Sequence, residues 1–181
     1  VVPAAQEAKR QAIAAEWRIC ESACEGIAVN RETDTGFAMN ENFDERIKAG
    51  WRPAHPEQTD PTVRVLAAYT GERLVGMLHH FGCHPVVYGE KTNGIHGDFV
   101  GGACDRLEHK FDGAVAIFLP GALGDINPKL NHRPPAESRR ALRAISRQYA
   151  RAIERGVQQA EPFAIDDVQM FRTAQRFTRT P

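Results

Sequence analysis

Apolar positions along this chain recur at two spacings, three-to-four and two, separated by polar stretches punctuated with glycine and proline. Residues 3–16 (PAAQEAKRQAIAAE) are alanine-rich, with Pro3 suited to a first turn, and predict a helix. Two short strands are expected next, Trp17–Glu21 and Gly26–Val29. From Arg31 to Thr59 the chain turns polar around Gly36, Gly50, Pro53 and Pro56, the pattern of a long surface excursion. Val63–Tyr69 and Arg73–Phe81 then flank Thr70-Gly71-Glu72 and predict an antiparallel hairpin.

Asp98–Phe111 places Val100, Ala103, Leu107 and Phe111 at helical spacing, so a helix is expected to open at Asp98. Ala114–Leu119 (AVAIFL) is a continuous apolar run ended by Pro120-Gly121, expected as a strand buried on both faces. Helical spacing returns over 137–159, with Leu142, Ile145, Tyr149 and Ile153 on one face, and 163–171 reads as a last strand. Helices and strands interleave without an internal repeat. The expected fold is therefore α/β, a mixed β-sheet with helices packed on it, in a single domain over 1–181. The chain opens Val1-Val2-Pro3 without an initiator methionine and stops just after a strand-like segment, so a piece of a longer polypeptide is expected.

Composition changes this picture little. Charges balance at 23 Lys plus Arg against 23 Asp plus Glu, which removes any global bias toward polyanions or membranes. No apolar stretch approaches the ~20 residues of a transmembrane helix. Four scattered cysteines (Cys20, Cys24, Cys83, Cys104) are too few for a disulfide scaffold, and whether Cys20 and Cys24 bridge stays open. Arg139, Arg143, Arg147, Arg151 and Arg155 repeat every four residues, which suggests phosphate neutralisation. An apolar opposite face and a neutral total charge favour a solvated outer surface instead, and no nucleic-acid partner is expected.

Candidate chemistry concentrates between residues 77 and 130. His84 stands where a strand meets Pro85, a place from which an imidazole can reach a metal; the alternative is a packed histidine bonded to a carbonyl. His79 and His80 must point to opposite faces of their strand, so at most one shares the His84 pocket. Asp98 suits a helix N-cap, a role compatible with orienting a histidine or a water. Gly124-Asp125-Ile126-Asn127-Pro128 follows the AVAIFL run through small residues that let a substrate approach; its alternative is a turn bonding its own backbone. Walker A, G-x-G-x-x-G, H-E-x-x-H and G-x-S-x-G motifs are missing.

Taken in order, Asn30-Arg31, Asp60-Pro61, Gly82-Cys83-His84-Pro85, Gly97-Asp98-Phe99 and the Gly121–Pro128 segment resemble the neutral/alkaline (non-lysosomal) ceramidase family. The resemblance covers nearly the whole chain and is strongest from Arg64 to Leu130. It implies a zinc-dependent amidase that cleaves an N-acyl bond, a lipid or small-molecule amide as substrate, and a secreted or periplasmic location. By the same resemblance His84 matches a zinc-binding histidine, Arg31 an arginine at the substrate end of the site, and GDINP the stretch lining the reacting amide. Two departures follow. Asn127 stands where the family carries a serine implicated in catalysis, and an amide side chain is no nucleophile at neutral pH, so a water-activated reaction is expected. The family's further zinc ligands, a His-x-His-type segment upstream and a Glu and a Tyr downstream, lie in regions this chain does not contain.

The expected mechanism places Arg31 and Asn127 on the developing oxyanion, with Asp98 or Asp125 orienting His84 or the attacking water. Two other classes compete: a non-catalytic domain that binds a lipid or protein partner, and a metallophosphoesterase built from His84, His96, Asp98 and Asp125.

Overall fold

In the computed structural model, residues 2–32, 53–88, 94–131, 134–165 and 173–174 are described. In chain order the elements are α1 (Val2–Arg10), β1 (Glu16–Ala23), β2 (Ala28–Asn30), β3 (Thr62–Thr70), β4 (Arg73–Phe81), α2 (Asp98–Lys110), β5 (Val115–Pro120), β6 (Ile126–Pro128), α3 (Pro135–Gln158) and β7 (Glu161–Phe163). A five-stranded sheet runs β5-β4-β3-β1-β7, with β4 and β5 parallel and the other neighbours antiparallel. β2 and β6 form a separate two-stranded ladder. This is the mixed α/β sheet the apolar pattern anticipates.

The β3–β4 hairpin closes on Gly71 and Glu72, with Thr70 paired to Arg73. Gly71 has φ +59°, the left-handed conformation that the first residue of such a tight turn requires. Alternate residues of β3 and β4 (Val63, Val65, Ala67 and Met77, His79, Phe81) are buried together with residues of α2 and α3 in one core. Tyr149 of α3 is the hub, its ring against Phe81, Phe99, Phe118 and His79. The Ser22 hydroxyl donates to the Ala152 carbonyl at 2.6 Å and fastens β1 to α3.

Three expectations need correction. The AVAIFL strand is not buried on both faces: β5 lies at the sheet edge, and Val115, Ile117 and Leu119 keep 54%, 48% and 43% of their surface exposed. α1 ends at Arg10 instead of continuing to Glu16; none of its residues is buried, so only helix propensity and the local bonds of Glu7 to Arg10 and Gln11 hold it. The last strand is Glu161–Phe163, earlier than expected; residues 166–172 lie outside the described residues, as do 33–52 of the long polar excursion. All four cysteines are free thiols. Among the described residues no helix is long and apolar enough to cross a membrane.

His79 is fully buried, and its two ring nitrogens are both engaged. Nδ1 shares a hydrogen bond with the Tyr149 hydroxyl at 2.9 Å, and Nε2 lies 3.4 Å from the Cys104 sulfur. Burial holds its pKa down at about 4, below the 6.5 of a free imidazole. The unfolded chain therefore takes up the proton first. Stability from this group is complete above pH 6.5 and is lost as the pH falls toward 4, a change of about 3 kcal/mol. Urea unfolding midpoints across that pH range should fall for the native protein and stay flatter for His79→Gln; parallel profiles would refute the assignment.

Candidate functional site

The small β2–β6 ladder assembles the site. Val29 pairs with Asn127 and Asn30 with Ile126, and the Arg31 amide extends the pairing by donating to the Asp125 carbonyl at 2.8 Å. The His84 amide donates to the Ile126 carbonyl at 3.0 Å, which ties the end of β4 to the same ladder. The Gly121 amide donates to the Phe81 carbonyl at 3.0 Å, so the chain leaving β5 turns across the end of β4. A Cβ on Gly121 would sit 2.7 Å from the His80 Nε2 and 3.1 Å from the Gly82 Cα, so a larger residue there would push the His80 ring aside. Three clusters far apart in sequence, Asn30-Arg31, Cys83-His84 and Asp125–Asn127, thus meet at the carboxyl end of β4.

Asn30 organises this meeting. It is buried, its amide donates to the Asp125 carboxylate at 2.8 Å and to the Gln58 carbonyl at 3.3 Å, and its oxygen accepts from the Glu32 amide at 2.8 Å. The sequence marks the Asn30-Arg31 pair but gives no sign of the bond to Asp125, 95 residues away. Arg31 is half-buried. Its Nη2 donates to the Gly124 carbonyl at 2.8 Å, while its Nε is buried without any partner. A buried N–H left unbonded costs about 1–3 kcal/mol, so this donor is open to an oxygen acceptor, water included. Asn127 is also buried, and its amide bonds no described residue.

Asp98 stands apart from those groups and acts on the backbone. Its carboxylate accepts from the amides of Val87 at 3.1 Å, Tyr88 at 2.9 Å and Phe99 at 2.7 Å. α2 does open at Asp98, whose φ is +53°, but without the expected cap on the helix interior: the oxygens reach back to the loop that follows His84-Pro85. Among the described residues no hydrogen bond engages the His84 ring, so neither Asp98 nor Asp125 bonds it directly. His79 faces the core and His80 the opposite side, as their alternation requires. Cys83, next to His84, is no rival nucleophile, since burial pushes its thiol up to about 12. Asp60 lies at the start of β3, bonded to the Thr62 amide and to Arg64, and those bonds hold it down at about 2.

No protein-family model and no curated protein matches the sequence. Known structures do. The fold is ceramidase-like. The chain matches neutral ceramidase from Pseudomonas aeruginosa with a TM-score of 0.67, at 19% identity over 87% of its own length. It matches a ceramidase complexed with C2 with a TM-score of 0.65, at 18% identity over 85%. It spans about a quarter of those solved chains, 25% and 24%. At such identity the likeness is one of fold.

A zinc centre takes three or four protein ligands. Among the described residues no three His, Cys, Asp or Glu side chains are grouped to hold a metal ion. His84 therefore does not make up a zinc site with its described neighbours. The same finding leaves His84, His96, Asp98 and Asp125 short of a two-metal phosphoesterase centre; the His96 Nδ1 accepts from the Asp98 amide at 3.1 Å.

Proposed function

We propose that this protein is a ceramidase-like hydrolase that cleaves the N-acyl bond of a lipid or small-molecule amide, with water as the nucleophile. The observation that carries the reading is the meeting of Asn30-Arg31, His84 and Asp125–Asn127 at one end of a ceramidase-like sheet. These are the clusters whose order along the chain resembles that family.

Their chemistry suits an amide carbonyl. Arg31 has a buried Nε–H without a partner and the Asn127 amide bonds no described residue, so both can donate to the oxygen on which negative charge develops as the carbonyl is attacked. Asp125 is held through Oδ2 by Asn30, which leaves Oδ1 to orient a water. Asp98 fixes the path of residues 84–88 and so positions His84 through the backbone. Asn127 cannot form an acyl intermediate, which is why the nucleophile is a water.

Zinc is the metal we assign to this site, with His84 as the ligand from this chain and the others outside the described residues. The full-length protein should keep near-stoichiometric zinc through dialysis, and His84→Ala should lose it. Undiminished zinc in that variant would count heavily against the assignment. The activity itself requires fatty-acid release from an N-acyl amide, with phosphate monoesters left intact.

A further inference from the structure

A second concentration of charge lies at the carboxyl end of β1. There a cleft of about 650 Å³ is lined by Cys24 and Glu25 and, from α3, by Arg147, Gln148, Arg151 and Arg155. Two of its walls are tethered: the Gln148 side chain donates to the Glu25 carbonyl at 2.5 Å, and Arg155 to the Ala23 carbonyl at 2.8 Å. Arg147 and Arg151 are exposed and bond no described residue. Glu25 is the one carboxylate among the lining residues. The Cys24 thiol adds no charge, since burial pushes it up to about 12.

The helix offsets this charge only in part. α3 carries Arg139, Arg140, Arg143, Arg147, Arg151 and Arg155 against Glu137 and Glu154, and Lys110 already engages Glu154 at 2.7 Å. Like charges four residues apart destabilise a helix. Their gathering on one side of a cleft, with Glu25 the one carboxylate beside them, suits an anionic occupant. Three guanidinium groups offer more N–H donors than the two oxygens of a carboxylate use, whereas a phosphate group presents three terminal oxygens to such forks.

We infer that the Arg147–Arg151–Arg155 cleft binds a phosphate-bearing ligand. β1 and β4 both run antiparallel to β3, so the cleft and the candidate hydrolytic site share one end of the sheet. A soluble phosphate ester and a phospholipid headgroup present the same oxygens. The inference concerns binding and stands apart from the hydrolytic reading.

Its test follows thermal unfolding of the full-length protein in inorganic phosphate against chloride of equal ionic strength. Cosedimentation with phosphatidic acid vesicles, against phosphatidylcholine vesicles, runs beside it. Phosphate should raise Tm saturably, and Arg147→Gln with Arg151→Gln should weaken that binding by about tenfold or more. Arg139→Gln with Arg143→Gln removes equal charge outside the cleft and should leave it unchanged. Protection by phosphate alone supports a soluble ester; added Arg147/Arg151-dependent capture by the acidic vesicles supports a headgroup. No advantage of phosphate over chloride, or equal responses from the two double variants, would overturn the inference.

Discussion

Replacing Asp98 with alanine should cost the fold about 3–4 kcal/mol, more than any surface change in this chain. The carboxylate accepts three backbone amides, and no water replaces it readily, because Val87 and Phe99 are wholly buried. Each orphaned donor carries its own desolvation penalty, and the three fail together. Asp98→Asn tolerates the same positive φ and keeps one acceptor oxygen, so its loss should be smaller, about 1–2 kcal/mol. Urea midpoints at constant m-value measure both. A loss below 1 kcal/mol for the alanine variant would mean that the loop after His84 is held by something else.

The second large effect is on activity. Arg31→Ala should lower kcat/KM for amide hydrolysis by about 10²–10³-fold, the usual cost of removing one donor from an oxyanion. Arg31→Lys keeps the charge but loses the Nε–H and the planar fork, so it should recover only part of the rate. Among the described residues the half-buried Arg31 makes one side-chain hydrogen bond, to the Gly124 carbonyl, and the fold should survive its loss. A fall in rate with Tm nearly unchanged separates a role in the reaction from a structural one.

How much of this is legible in the sequence depends on how local each signal is. The β3–β4 hairpin was readable because alternation and a glycine turn lie in adjacent residues. α2 and α3 were readable because their buried residues recur within one helix. The exposure of β5 was not, since an apolar run looks the same in a central strand and at an edge. α1 is shorter than its alanine content predicts because no buried face carries the helix past Arg10. The site shows the same division. The order of the polar clusters points to a ceramidase-like arrangement, yet the bonds that join them span long separations: Asn30 to Asp125 is 95 residues and Arg31 to Gly124 is 93. Residue type and spacing do not encode such pairs. The unpartnered Arg31 Nε likewise exists only in three dimensions.

Fatty-acid release by the full-length protein tests most directly whether this fold hydrolyses an N-acyl bond. The assay presents an N-acylsphingosine beside a phosphate monoester, with Arg31→Ala as control. Release of fatty acid that depends on Arg31, with the phosphate ester untouched, is the predicted result. A well-folded, zinc-replete protein that leaves the amide intact would contradict it and favour a non-catalytic domain that binds a lipid or a partner protein.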